Sequence, residues 1–581
     1  DLDTVVTEEM IRERISQKGV QKQIPVIAIS AKEEQGIKEL ENTVKAMFLK
    51  GDLSFNEEVY ITNARQKNAL VNARESMKKV VMTMLTAALF AAALCAVVLL
   101  FRLLDALRAH AQSGAPATQK EKRRLFWLCA GLIFVGSIPY LLLYAPGLNI
   151  YDTHDQILQF FGFPSYIGDG SALSDHHPVF LTLIYGGFMK LGLLLGDANI
   201  GQLLYSLLSM AALAVCWAYA LVTLREAGLA RGAVIGLALF VALYPVLALY
   251  AFNMCKDVSV EPFVLLYGTM MFRLYASHGR AAQSGRFCAG LFAVALMMML
   301  TRKPAMYALC FAALFLLLGY PGVRARLAGA LLGAAAVFAV LYNGLLLPAL
   351  GVIPGETREM LSVPFQQTAR FVSEYGGEVT EEERAIIDRV LDYDSLQRIY
   401  TPELSDPIKN TYHRDATAQD VAQYLKVWAK LAARHPTCCL SATIIQNALL
   451  FDVSTYNLAI FTGTGLSTQE EEALDIHRSG TLTRLERMES NLRQAALALP
   501  FALQLNTLGF YCAVLLGGCA IAKGRKARGV WMLMLPLVVT VLFLPFGPCI
   551  EHQDRYGFPV IYLMPLALAA LSCALRRTQR N

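Results

Sequence analysis

From residue 80 onward the chain alternates long apolar runs with short basic segments. Val80 to Leu104, in which Arg102 is the only charge, sets the pattern. A helix needs about 20 apolar residues to cross a bilayer, and the pattern predicts about ten or eleven such segments. Before residue 80 the pattern is different. A short apolar strand from Ile24 to Ile29 precedes an amphipathic helix from Gly36 to Phe48. The expected fold is an α-helical polytopic membrane protein with a helical extracytoplasmic insert and a small αβ N-terminal fragment. Its divisions are a fragment at 1–79, a transmembrane domain at 80–350 with an external loop at 146–176, an insert at 351–500, and C-terminal transmembrane helices at 501–581.

Composition sharpens this reading. The 581 residues are 55% hydrophobic and only 17% charged, against about 25% charged in soluble domains. Mean hydropathy is +0.43. These values exclude a disordered chain and argue against a soluble one. The net charge of +6 reflects where loops sit relative to the bilayer, and no nucleic-acid partner is expected. Most of the 12 cysteines lie in apolar segments and read as small hydrophobes. No CxxC pair or Cys/His cluster has metal spacing, and no cleavable signal peptide is expected.

Loop charges give a topology. Basic clusters lie at Lys120 to Arg124, Arg225 and Arg231, Arg280 and Arg286, Arg324 and Arg326, Lys523 to Arg528, and Arg576 to Arg580. Short basic loops stay cytoplasmic. Loop 146–176, the turns at Lys256-Asp257 and Arg302-Lys303, the insert and loop 546–556 then lie outside. The parity holds when Pro178 to Leu195 does not cross, and it puts residues 1–79 outside as well. The embedded polar residues gather on that outer side: Asp152, His154, Asp155, Asp175, His176, His177, Asn253, Lys256, Asp257, Glu261, Arg302, Lys303, Glu551, His552, Arg555 and Tyr556. Ionisable groups at membrane depth are costly and mark function by default. Several have a plainer alternative: Asp152 as a helix cap, His176 and His177 as a surface pair at an interface, Lys256 and Asp257 as a structural ion pair, Arg302 and Lys303 reaching headgroups, Arg555 and Tyr556 as an interfacial anchor.

Two resemblances add to this. Ser30-Ala31-Lys32, the helix after it, and Glu58 to Leu70 resemble the end of the G domain of the MnmE (TrmE) tRNA-modification GTPases. In that family the Ser-Ala-Lys turn contacts the guanine base. The glycine-rich phosphate loop that such chemistry requires is absent, so residues 1–79 are read as a non-functional remnant or fusion artefact. Residues of about 125–575 resemble the GT-C superfamily of polytopic glycosyltransferases, in the branch of DUF6020-type bacterial membrane proteins. The likeness rests on His177-Pro178, Lys256-Asp257, Arg302, Arg555-Tyr556, Val363 to Arg370 and Ser405 to Lys409. It departs from the branch at Arg302-Lys303-Pro304.

The resemblance implies a bacterial cell membrane enzyme with an extracytoplasmic site. It would take a polyprenyl-phosphate sugar donor and a glycan, lipid or protein acceptor. Asp152 would be the catalytic carboxylate, with Asp155 and Asp257 as further candidates. His177, Lys256, Arg302, Lys303, His552, Arg555 and Tyr556 would bind substrate. A divalent cation (Mg or Mn) on Asp257 or Asp175 is an open expectation. A transporter or flippase of a lipid-linked saccharide is the alternative.

Overall fold

The computed structural model describes residues 10–11, 27, 36–48, 118–163, 173–355, 357–452, 487–488, 491, 507–524, 531–546 and 554–580. Contacts divide the chain into two compact units, Asp1–Val81 and Met82–Asn581. In the first, helix α1 (Ile37–Phe48) follows Gly36, whose φ of 72° suits glycine. The expected strand 24–29, the Ser30-Ala31-Lys32 turn and the span Val80 to Leu104 lie outside the described residues.

The second unit is a helical bundle. Its chain order begins α2 (Gln119–Leu143), β1 (Leu148–Asn149), α3 (Tyr151–Phe160), α4 (Val179–Leu194) and α5 (Ala198–Glu226). It continues with α6 (Arg231–Leu243), α7 (Pro245–Tyr250), β2 (Asn253–Met254), α8 (Lys256–Ser259), α9 (Glu261–Ala276), α10 (Gly285–Thr301), α11 (Ala305–Gly319) and α12 (Arg324–Ala336). A π-helix, Val337–Leu346, runs on from α12. After the insert come α13 (Leu508–Gly524), α14 (Trp531–Phe543) and α15 (Phe558–Arg580).

Among the described residues, four helices are long and apolar enough to cross a membrane: Gln119–Leu143, Ala198–Glu226, Pro321–Ala349 and Arg555–Cys573. Six shorter apolar helices accompany them, among them Val179–Leu194. At 16 residues that helix is about 24 Å long, short of the roughly 30 Å hydrocarbon core. Leu194 and Leu318 are 76% and 80% exposed, which water would penalise and lipid would not. The architecture is compatible with a membrane protein.

Local chemistry fixes the helix starts. Thr118 caps α2 by accepting from the Glu121 N–H, and Asp197 caps α5 by accepting from the Asn199 N–H at 2.8 Å. α4 and α5 then pack at unusually close range. A Cβ on Gly201 would lie 2.1 Å from the Phe188 carbonyl oxygen, so only glycine allows this approach. The insert has its own core of Phe365, Phe371, Ile387, Leu396, Tyr424 and Leu431. Two of its helices, Glu381–Asp388 and Ala418–Arg434, open with complete capping boxes, Thr380 with Glu383 and Thr417 with Asp420.

Candidate functional site

The site begins with a two-residue parallel pairing. β1 and β2 pair Leu148 with Asn253 and Asn149 with Met254. Gly147 (φ 153°) lets β1 lie against α5, where a Cβ would come 2.2 Å from Ser206 Oγ. The Asn149 amide donates to Gln202 Oε1 at 3.1 Å, which fixes β1 to the same helix. Each strand runs directly into a helix, α3 or α8. Asp152 and Lys256 therefore leave neighbouring strands only a few residues after the pairing, and the Thr153 hydroxyl donates to the Met254 carbonyl to close the two starts together. At the far end of α8 the Ser259 hydroxyl lies 2.7 Å from both Tyr185 and Tyr205 hydroxyls, so this short helix is held at both ends.

The side chains then converge from five segments. Lys256 Nζ lies 2.9 Å from Asp152 Oδ2, and Arg555 Nη1 lies 3.1 Å from the same oxygen. Asp257 faces Arg302 at 3.3 Å and Arg555 at 3.7 Å. Lys256 Nζ is also 3.1 Å from His177 Nδ1. The Arg555 guanidinium donates to the Tyr151 hydroxyl at 3.2 Å and stands over the Tyr151 and Tyr556 rings, 5.3 Å from each centroid. Arg302 lies over the Tyr556 ring as well. Pairs of this kind inside a protein are strong and directional, and flanking ring faces add attraction for the cations.

Asp152, Asp257, His177, Lys256, Arg302, Arg555 and Tyr556 thus come together. Asp152 lies in the first turn of α3 behind the N-cap Ile150 and spends its carboxylate on two cations, so capping is not its role. Asp155 sits one layer back. The Gln159 amide donates to Asp155 Oδ2 at 2.7 Å, and that oxygen stands 3.9 Å from His177 Nε2. Lys303 joins a neighbouring pair, with Asp175 at 3.2 Å. His552 lies outside the described residues, as do Glu551 and the acidic run at Glu470.

Two features went unselected in the sequence. Tyr151, next to Asp152, holds Arg555 with its hydroxyl and ring; its adjacency to the acidic pair was the available signal. Gln159, one turn after Asp155, reaches it and also accepts from the Ser174 N–H at 3.0 Å.

Burial alone would raise the Asp152 carboxyl. Lys256 and Arg555 outweigh it and hold the group well below the usual carboxylate range. Burial and Lys256 both push His177 down, so its imidazole is neutral and can accept from the Lys256 ammonium. Burial likewise pushes His176 down to about 4. The parts of the cluster that solvent reaches are cationic: Lys256 and Arg302 are 19% and 16% exposed, Asp257 only 1%. Among the described residues no three His, Cys, Asp or Glu side chains are set to hold a metal ion. The carboxylates a divalent cation would use, Asp257 and Asp175, already face Arg302, Arg555 and Lys303. That donor set does not suit such an ion. What the arrangement suits is an anion that competes with Asp152 and Asp257 for the cations.

Known proteins bear on both parts of the chain. A sequence profile described as a family of unknown function (DUF6020) matches residues 167–581. A stretch of 83 residues is 46% identical to a tRNA modification GTPase MnmE of Lachnoclostridium phytofermentans, covering 14% of this chain and 17% of that protein. The MnmE protein of Acetivibrio thermocellus is 45% identical over 53 residues, covering 9% and 12%. The chain thus spans less than a fifth of the length of these curated relatives. No solved structure matches.

Proposed function

This chain belongs to the DUF6020 family, and from that premise we propose that it is a GT-C-like membrane glycosyltransferase. It moves a sugar from a polyprenyl-phosphate donor to an acceptor at the outer membrane surface. The observation that carries the reading is Asp152, held between Lys256 and Arg555 beside the Asp257–Arg302 pair. In the reaction an acceptor hydroxyl attacks the anomeric carbon, and the bond from that carbon to the phosphate oxygen breaks. The phosphate leaves with the electron pair, and the hydroxyl proton passes to a carboxylate.

A carboxylate paired with two cations is a weak base. The donor phosphate remedies this by taking over Arg555 and Lys256, which bind it in place of Asp152. Released from its partners, Asp152 regains basicity when the acceptor arrives. Arg302 and Arg555 then stabilise the charge growing on the leaving phosphate. His177 holds the Lys256 ammonium in position, and Asp155 stands behind the ring at 3.9 Å.

The test is sugar transfer by purified protein from a synthetic polyprenyl-phosphate sugar to membrane-extracted acceptors. Asp152→Asn is expected to lower transfer about 10²- to 10⁴-fold. Full activity in that variant would end the proposal. A second reading, transport of a lipid-linked saccharide, is favoured by Glu261, a fully buried carboxyl at the first residue of the apolar helix α9 whose oxygens lack a hydrogen bond. Movement of the intact donor across the bilayer, with no new glycosidic bond, would select it.

A further inference from the structure

A separate feature lies at the other end of α10, about 25 Å from Arg302 along the helix. Between the first turns of α10 and α12 is a cavity of ≈ 530 Å³. Its apolar lining includes Ala289, Phe292, Gly329 and Ala330, and its polar lining is Gln283 and Arg326. Arg326 Nη1 donates to the Gln283 carbonyl at 2.5 Å, which places the guanidinium at this polar edge. Arg280, Arg286 and Arg324 stand on the same helix ends. No Asp or Glu occurs between Glu261 and Glu356. On the neighbouring helix ends, Glu226 is engaged by Lys122 and Arg273. The polar edge of the groove is therefore basic without local compensation, while the rest of its lining is apolar.

We propose that this groove holds an anionic phospholipid. The headgroup phosphate sits on Arg326 and Arg286, and one acyl chain lies along Gly329, Ala330 and Phe292. Charge complementarity chooses the occupant. Basic pockets between apolar helices hold anionic headgroups, and the apolar lining matches an acyl chain rather than a soluble phosphate ester. Glycine leaves the groove open: a Cβ on Gly329 or Gly285 would have nothing within 4 Å, so a side chain at 329 enters open space. This proposal does not depend on the glycosyltransferase reading.

The experiment is native mass spectrometry of the full chain released from nanodiscs of mixed phosphatidylglycerol and phosphatidylcholine. Wild type is expected to retain one phosphatidylglycerol in preference to phosphatidylcholine, and inorganic phosphate is expected not to displace it. With each basic contact worth about 1 kcal/mol, Arg326→Gln lowers retention about five-fold and the Arg286→Gln, Arg326→Gln pair about 30-fold. Arg326→Lys keeps most of it. Gly329→Leu removes the bound lipid while leaving the thermal midpoint unchanged or raised, since leucine favours a helix over glycine. Equal retention of both lipids would overturn the proposal. So would undiminished lipid in folded Gly329→Leu, or displacement by inorganic phosphate. A dimer that dissociates on Gly329→Leu would assign the groove to a second copy of the chain instead.

Discussion

At the scale of single residues, the candidate site is an arrangement of charges that satisfy one another only in part. Asp152 is ionised because Lys256 and Arg555 make it so. The same pairs stabilise the fold by drawing together α3, α8 and the segment before α15. A buried carboxylate left alone would be costly, and removing one partner of such a pair typically costs about 3–5 kcal/mol. Arg555→Leu should therefore lower the thermal midpoint measurably as well as impair binding. An unchanged midpoint would show that the pairs carry no structural weight. The neighbouring His176 gives a pH signature. Burial and the nearby Lys256 and Lys303 keep it neutral against the pull of Glu359 and Asp152. An unfolded chain takes up that proton below about 6.5. The unfolded state thus binds more protons than the folded one, so stability falls as pH drops from about 6.5 towards about 4. His176→Gln should flatten the fall in thermal midpoint between about pH 7 and pH 5. A slope equal to that of wild type would remove His176 as its source. Most of these residues were legible in the sequence because an ionisable side chain stands out in an apolar context. Asp152, His177, Lys256, Asp257, Arg302 and Arg555 all did. What periodicity could not tell was rank: Asp155 looks like Asp152 in sequence, yet it stands behind His177 while Asp152 meets the cations.

At the scale of elements, the site depends on a pairing too short to have a period. β1 and β2 are two residues each, and two residues cannot show an alternation. Nothing in the sequence announced that Asn149 would lie beside Met254, although that register delivers Asp152 to Lys256. The hairpin of α4 and α5 behind it was legible as two apolar segments, but its closeness was not. Closeness depends on Gly192 and Gly201 meeting, where a Cβ on Gly192 would lie 2.4 Å from the Gly201 nitrogen. Gly201→Val should cost about 1–3 kcal/mol through overpacking and lower the thermal midpoint in detergent. Tolerance of valine would mean the two helices can part without loss. The π-helix Val337–Leu346 was equally hidden, since its side chains read as any apolar run. It brings Tyr342 to Phe180, whose N–H donates to the Tyr342 hydroxyl at 3.0 Å at the start of α4.

At the scale of the molecule, the separation of chemistry matters most. α10 carries Arg302 at the end of one side and Arg286 at the other, so the cluster around Asp152 and the basic groove lie at opposite ends of one apolar helix. The positive-inside rule places the Arg286 end inside as an expectation. The central claim is that a lipid-linked phosphate displaces Asp152 from Lys256 and Arg555. The most direct measurement compares the affinity of polyprenyl phosphate for wild type and Asp152→Asn, with transfer assayed on the same preparations. The account predicts opposite signs: with its competitor gone, the phosphate binds Asp152→Asn more tightly while sugar transfer collapses. Weaker phosphate binding in Asp152→Asn, or binding no stronger than that of the uncharged polyprenol, would contradict it.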